Sequence, residues 1–278
     1  MKITEYPAVT TLADSDIFLI DGTGGTRTIA GSNFPYAVLD LIGPDTHRAF
    51  FRGKNLGTTL TTGQKTAIQN GTFTDLWLGD YWEIGGVKWR IADFDYWYGS
   101  GDTEFTSHHL VIVPDSNLGT AKMNDTSITT GGYTGSLMYS TNMATAKSSI
   151  TSAFGSAIKT RREYLINAVT SGYPSDGAFA DSTIELMNEP MVFGSYIYTP
   201  SGDGTVTVKR YTNSPTQLAL FRVRPDFINK PEDAAARISY WLRDVVNSTS
   251  FVCVNAYGAP QDASANQEYG IRPVFAIG

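Results

Sequence analysis

The sequence predicts an α+β fold, in which an antiparallel sheet packs against two or three helices on one side. Three observations predict this class. Short segments rich in β-branched and aromatic residues recur along the chain between turn residues, which is typical of strands. Apolar residues at helical spacing are concentrated in the middle of the chain. Polar loops become more frequent toward the C-terminus.

Composition limits the classes of partner. The chain has 278 residues, enough for one large or two small domains, and carries a formal net charge of −6. Its only basic cluster is short, residues 159–162, so we expect neither nucleic acid nor an anionic membrane as a partner. No apolar run approaches the ~20 residues that span a membrane, and the N-terminus has no apolar core of signal-peptide length. We therefore expect synthesis in a cytoplasm and no membrane insertion.

Residues 1–44 predict a small N-terminal module. Asp16–Ile20 and Thr26–Ile29 are strand candidates around a glycine-rich turn, and Ser32 or Asn33 is a candidate N-cap for a short helix. A hairpin and one short helix bury too little surface to fold alone. We therefore expect this module to attach to a larger particle or to copies of itself.

Two further parts follow. Residues 45–75 predict a connector with a short helix, because Thr61 and Gln64 have the spacing of a capping box. Residues 76–278 predict the main domain.

The first half of the main domain predicts strands and then helices. Strands flank the turn at Gly85 and Gly86, and another runs from His109 to Val113. Residues 116–141 are loop-like. The best helix runs from Ala144 to Ile158, and a second covers Thr160–Val169.

The next part is less regular. The following segments are assigned in order: a loop at 171–183, a strand or irregular core segment at 184–198, a turn at 201–204, a strand at 218–223 and a helical turn or exposed loop at 231–237.

The C-terminal stretch has two apolar ends and a polar middle. Tyr240–Arg243 and Gly270–Ile277 have the composition of core strands. Between them, Phe251–Val254 predicts one short strand, whereas Asn255–Tyr269 has no periodicity and predicts a long loop. Asn, Ser, Gly and Tyr are typical of adaptable binding loops, so this loop is either a binding site or an ordinary surface loop.

Catalytic and metal-binding patterns are weak. Cys253 is the only cysteine, so it forms no disulfide within the chain; it packs as a small hydrophobe or faces the binding surface. Neighbours on a strand face opposite sides, so His108 and His109 do not bind one metal together. Asp93, Asp95 and Glu104 match positions of an EF-hand whose required glycine is missing. We predict no catalytic residue, metal or cofactor, and leave a calcium site of another kind open.

Two arginines flank the polar middle. Arg243 and Arg272 lie in apolar strands, where a donor-rich guanidinium can bond the carbonyls at the base of the loop. We favour this structural role over binding of an anionic ligand.

The residues WLRDVVNSTSFVCVN at 241–255, followed by YGIRPVF at 269–275, resemble the C-terminus of a family of phage virion proteins of the tail-fibre or receptor-binding type. Its members carry a C-type-lectin-like domain, and the phage major tropism determinant is a distant relative. In several members the loop between WLR and GIRP is the variable region of a diversity-generating retroelement. The same resemblance is carried upstream by residues 79–82, 86–93, 108–114, 131–136, 162–165 and 185–187.

The resemblance implies a function and a site. It implies a non-enzymatic structural protein of the virion, a homotrimer, whose C-type-lectin-like domain binds a glycan or protein receptor on the host cell surface through the 247–269 loop. The N-terminal module would contact other virion proteins. The implied contact residues are Ser250, Cys253, Asn255, Tyr257, Gln261, Asp262, Asn266, Gln267 and Tyr269.

Two alternatives stand beside this interpretation. The protein could be a virion decoration or a head or tail fibre with a purely structural role. It could also be an enzyme, because the formylglycine-generating group has a similar Gly-x-Arg near its end. That group relies on a cysteine pair or a metal held by it, and a single Cys253 argues against it.

Overall fold

The computed structural model of the chain describes residues 17–20, 27–30, 36, 44–199, 217–229 and 237–278. Within these residues the fold is α+β, as the sequence predicts, with two five-stranded sheets, two two-stranded sheets and few helices. Nearly all strand pairs are antiparallel. None of the helices described is long and apolar enough to cross a membrane.

The strands are β1 (Ile17–Ile20), β2 (Arg27–Ala30), β3 (Tyr81–Ile84), β4 (Val87–Phe94), β5 (Leu110–Pro114), β6 (Thr120–Lys122), β7 (Arg161–Thr170), β8 (Tyr173–Ser182), β9 (Ile184–Leu186), β10 (Tyr240–Val245), β11 (Ser250–Val254), β12 (Pro260–Ser264), β13 (Glu268–Gly270) and β14 (Pro273–Ile277). The α-helices are α1 (Thr62–Gln69), α2 (Ala144–Phe154), α3 (Glu189–Phe193) and α4 (Ala219–Val223). Short 3₁₀ turns cover Pro44–Thr46, Gly155–Ala157 and Pro225–Phe227, and a π-helical turn covers Met138–Asn142.

The N-terminal hairpin is confirmed, since β1 and β2 pair antiparallel. The helix predicted after Ser32 or Asn33 lies outside the described residues except for Tyr36. The Tyr36 ring centroid lies 5.2 Å from that of Trp77, and the Arg52 guanidinium lies 5.4 Å from the Tyr36 ring. Tyr36 therefore contacts the connector and the main domain.

The predicted capping box begins α1. Thr61 Oγ1 accepts a hydrogen bond from the Gln64 N–H at 3.2 Å, and Gln64 Oε1 accepts one from the Thr61 N–H at 2.9 Å. The same Gln64 oxygen accepts a bond from Trp82 Nε1 at 3.1 Å, and Ile68 is buried. The connector helix is thus fixed to the main domain.

One five-stranded sheet has the order β3-β4-β5-β14-β9 and is antiparallel throughout. The predicted hairpin joins β3 and β4, and Gly85 and Gly86 both have positive φ, of 64° and 76°, which suits a tight hairpin turn. Helix α2 is confirmed and packs Phe154 edge-on against Trp89 at 5.8 Å.

The other sheet has the order β12-β11-β10-β13-β6, with one parallel pair between β10 and β13. Its strands β10 and β11 are buried on both faces. Leu242 and Val252 join the main core, whereas Trp241, Phe251 and Cys253 join a second core with methionines of the loop and helix before β7. Burial on both faces explains why β10 and β11 are apolar throughout rather than alternating.

Three predictions of secondary structure between residues 160 and 223 were wrong. Residues 160–169 form β7 rather than a helix, and 171–183 contain β8 rather than a loop. In β7 the inward positions include the charged residues Arg161 and Glu163, which hides the two-residue period. Residues 218–223 contain α4 rather than a strand, since a short apolar run fits either structure.

Two other segments contain more regular structure than the sequence predicted. Residues 116–141, expected as loop, include β6 and the π-helical turn, and residues 184–198 include β9 and α3. The turn predicted at 201–204 and most of 231–237 lie outside the described residues. The single sheet covered on one side that the sequence suggested is replaced by the two five-stranded sheets.

Candidate ligand-binding surface

The predicted loop 255–269 contains two strands. It contains β12 and β13, and β12 pairs with all five residues of β11, from Ser250 opposite Ser264 to Val254 opposite Pro260. The backbone ladder orders this segment although its side chains are polar and lack periodicity. The candidate surface is therefore a β-hairpin, β11–β12, rather than a flexible loop.

The hairpin tip presents a tyrosine on a fixed turn. Asn255 Oδ1 accepts hydrogen bonds from the N–H groups of Tyr257 at 2.9 Å and Ala259 at 3.1 Å, which closes an Asx turn. Gly258 has a φ of 85°, and Asn229 Nδ2 donates to the Asn255 carbonyl at 2.7 Å. The Tyr257 side chain is 90% exposed. A rigid backbone thus holds an aromatic ring in solvent.

The outer strand of the hairpin supplies two exposed polar side chains. β12 is an edge strand that pairs only with β11 among the described strands, and Gln261 and Asp262 are both exposed. Gln261 lies opposite Cys253 in the β11–β12 ladder, and Cys253 lies opposite Trp241 in the β10–β11 ladder. The Trp241 ring centroid is 4.8 Å from that of Tyr269. Gln261 and the half-buried Tyr269 therefore lie on the same face of the sheet.

Two further predicted residues lie at the opposite end of the hairpin from Tyr257. Asn266 and Gln267 form the turn between β12 and β13, where Asn266 Oδ1 accepts a hydrogen bond from Ser264 Oγ at 2.9 Å. Five strand residues span about 17 Å. The structure therefore divides the predicted contacts into a hairpin tip with its edge strand and a separate distal turn.

Two predicted contact residues are in the interior. Ser250 is 7% exposed and Cys253 is fully buried, so the expectation that Cys253 faces the surface is not met. Burial, assisted by the charge of Asp262, raises the pKa of the Cys253 thiol to about 12. The thiol is a packed apolar group and not an accessible nucleophile.

The distal turn belongs to a hydroxyl-rich surface that the sequence did not assign. Thr129 donates from its N–H to the Ser248 carbonyl at 3.1 Å and from Oγ1 to the Asn247 carbonyl at 2.7 Å, which joins two loops. Ser248, Thr249 and the 53%-exposed Tyr173 lie around this junction. The density of Ser and Thr in residues 116–141 was the available signal, but only the fold brings the segments together.

The flanking arginines have structural partners. Arg272 donates from Nε to the Pro114 carbonyl at 2.9 Å, and from Nη1 to the carbonyls of Phe227 at 3.0 Å and Ile228 at 2.7 Å. Arg243 instead donates to a carboxylate, Glu163. Both arginines are buried, and the carbonyls bonded by Arg272 lie outside the 247–269 stretch, which corrects the expectation that they hold that loop directly.

His108, His109 and Asp93 have structural partners. Buried His109 accepts a hydrogen bond at Nε2 from the Trp97 N–H at 3.1 Å and contacts the Ser107 carbonyl through Nδ1, and burial lowers its pKa to about 4. His108 Nδ1 lies 2.7 Å from Asp95 Oδ2. Asp93 accepts a hydrogen bond from the Ala219 N–H at the start of α4.

In the described part of the chain, no group of three or more His, Cys, Asp or Glu side chains is arranged to hold a metal ion.

One family model matches the chain. Residues 145–278 match the family described as a domain of unknown function, DUF6273, a region that includes β7 to β14 and hence the β11–β12 hairpin. Neither a curated protein nor a solved structure matches the chain.

Proposed function

We propose that this chain is a non-enzymatic phage virion protein that binds the host cell surface through the β11–β12 hairpin of a C-type-lectin-like domain. The observation that carries the proposal is the Tyr257 side chain, which is 90% exposed on a turn fixed by Asn255. An exposed aromatic ring on a rigid backbone loses little conformational entropy on binding. Surface aromatic residues of this kind are typical anchors of recognition sites.

The neighbouring side chains support a recognition role. Gln261 and Asp262 are exposed on the edge strand, and Asp262 and Glu268 are the only charged residues between Val245 and Tyr269. Amide and hydroxyl groups with few charges suit a ligand that is read by hydrogen bonds rather than by strong electrostatic attraction. The doubly buried β10 and β11 provide a firm base for this surface.

The topology supports the C-type-lectin-like interpretation. β10, which carries the residues WLR, runs parallel to β13 next to the GIRP residues, with Tyr240 opposite Gly270. The two ends of the polar stretch therefore lie on adjacent strands of one sheet, and the stretch between them forms the β11–β12 hairpin at one edge of that sheet.

The same proposal includes assembly. A single hairpin with a few contacts binds weakly, and several copies on one particle increase the effective affinity. We propose a homotrimer in which the N-terminal module, including the β1–β2 hairpin, contacts other virion proteins.

The experiment compares binding of the purified full chain to a panel of candidate bacterial hosts. We expect the wild type to bind at least one host and the double variant Tyr257→Ala/Gln261→Ala to lose most of this binding while keeping its thermal stability. Tyr173→Ala, at an exposed tyrosine near the opposite end of the hairpin, is the matched control and should bind as the wild type does. Equal binding by all three proteins, or none to any host, would contradict the proposal and favour a structural role in the particle.

A further inference from the structure

A segment outside the polar stretch flanks the tip of the β11–β12 hairpin. Asn229 Nδ2 donates hydrogen bonds to the Asn255 carbonyl at 2.7 Å and to the Ile238 carbonyl at 3.3 Å, so one amide joins the tip to the residues before β10. A side-chain carbon at Gly258 would lie 3.8 Å from Asn229 Cβ, so the tip packs directly on Asn229. The turn that carries Tyr257 therefore has Ile238 as a neighbour in space.

The flanking segment exposes an apolar and a cationic side chain. Ile238 is 45% exposed, and Arg237 beside it is also exposed. Two residues further on, Tyr240 begins β10 opposite Val254, so the chain leads from Ile238 directly into the base of the hairpin. Ile238 and the 90%-exposed Tyr257 are therefore two apolar side chains that reach solvent at the same end of the sheet.

This combination of side chains indicates the chemical class of the ligand. An aliphatic side chain forms no hydrogen bonds, so binding stabilises it only by covering it with apolar surface. More than half of the surface of a folded protein is apolar, whereas a glycan presents mainly hydroxyl groups. Tyrosine and arginine, the other exposed residue types at this end of the sheet, are enriched at protein–protein interfaces.

We propose that Ile238 is a second anchor beside Tyr257 and that the cell-surface ligand is a protein. This inference rests on the proposed cell-surface binding and names the ligand class of the same site. Asn229 is a positioning residue, because its amide holds the backbone of both the tip and the flanking segment. The ligand would cover the Tyr257 ring and the Ile238 side chain together and exclude water from both.

The first test compares two isoleucines of similar exposure. Ile238→Ser and Ile128→Ser remove aliphatic surface from residues that are 45% and 48% exposed. Ile128 is the matched control, because the adjacent Thr129 donates to the Ser248 carbonyl at the opposite end of the hairpin. Both substitutions are at the surface, so both variants should keep the thermal stability of the wild type.

Binding is measured on bacterial cells that bind the wild type. We expect Ile238→Ser to need about five- to tenfold more protein for half-maximal binding, the effect of leaving roughly half an isoleucine side chain uncovered. Ile128→Ser should bind as the wild type does. Equal binding by the two variants would overturn the role of Ile238, and the proposed function would still stand if Tyr257→Ala/Gln261→Ala loses binding.

The second test identifies the ligand class on the same cells. A protease removes exposed protein, whereas mild periodate oxidises the vicinal diols of glycans. We expect protease treatment, followed by inhibition and washing, to abolish binding of the wild type, and periodate to leave most of it. Binding that survives the protease and is lost after periodate would overturn the inference but leave the proposed function in place. If the wild type binds no host, the proposed function and this inference fail together.

Discussion

Arg243 Nη1 donates a hydrogen bond of 2.7 Å to Glu163 Oε2, and both side chains are buried. The bond joins β10, the central strand of one five-stranded sheet, to β7 of the long hairpin. Arg161 donates to the other oxygen of the same carboxylate. Glu163 therefore bridges two guanidinium groups from different elements, and the positions of these elements depend on it.

Removing Glu163 should destabilise the fold strongly. Glu163→Leu leaves two buried guanidinium groups without their carboxylate, so we expect the free energy of unfolding in urea to fall by about 3–5 kcal/mol. Asp181→Asn is the control, because Asp181 pairs with Arg162 at the surface; it should change stability by less than about 1 kcal/mol. Similar effects of the two substitutions would show that the buried network does not hold the hairpin.

The capping box of α1 should contribute measurably. Thr61→Ala removes the side-chain acceptor of the Gln64 N–H, and we expect a loss of about 1 kcal/mol in the free energy of unfolding. The adjacent, exposed Thr62→Ala is the control and should lose only a few tenths of a kcal/mol, since its side chain caps nothing. If the two variants are equally stable, the box does not fix the connector helix.

Asp244 should make stability fall between neutral and mildly alkaline pH. Burial, then the nearby Glu189, raises the pKa of Asp244 to about 8. The folded state therefore retains a proton that the unfolded state has lost, and the stability linked to this proton disappears as pH rises toward and through 8. Between pH 6.5 and 8 we expect a loss of roughly 1–2 kcal/mol.

The variant Asp244→Asn isolates this effect, because the asparagine keeps an acceptor for the Glu189 N–H but does not titrate. Urea unfolding at several pH values should show a decline for the wild type and a flatter profile for the variant. His109, whose pKa is lowered to about 4, acts in a separate window, where stability decreases as pH falls from 6.5 toward 4. Parallel profiles of wild type and Asp244→Asn above pH 6.5 would contradict the prediction.

The Cys253 thiol should be unreactive in the folded protein. It is fully buried and its pKa is about 12, so a chromogenic disulfide reagent at pH 8 should label it only after denaturation. In Cys253→Ala/Gln261→Cys, the thiol moves to the exposed position opposite on β12 and should react within minutes. Rapid labelling of the native wild type would show that Cys253 is exposed and would contradict this prediction.

The sequence predicts the elements whose signals are local. The capping residues Thr61 and Gln64, the turn at Gly85 and Gly86 and the apolar ends of the C-terminal stretch each carry their own pattern. β7 was not predicted because buried Arg161 and Glu163 interrupt its apolar alternation. Glu163 is paired with Arg243, which is remote in the sequence.

The site is predictable only in part, for the same reason. Tyr257, Gln261 and Asp262 are exposed as the polar composition suggests. The burial of Cys253 depends on a second core contributed partly by Met138, in a segment that looks like loop. The strand β12 forms because it pairs with β11, and the preferences of single residues do not predict such pairing.

The central claim is that the hairpin tip contacts the cell-surface ligand, and photocrosslinking from position 257 tests it most directly. The full chain would carry p-benzoylphenylalanine in place of Tyr257 or, in a matched protein, in place of Tyr173, and would be irradiated on bacterial cells that bind the wild type. We predict a covalent adduct with a cell-surface component from position 257 and little or none from position 173. Adducts from position 173 alone, or equal adducts from both, would place the contact elsewhere and contradict the account.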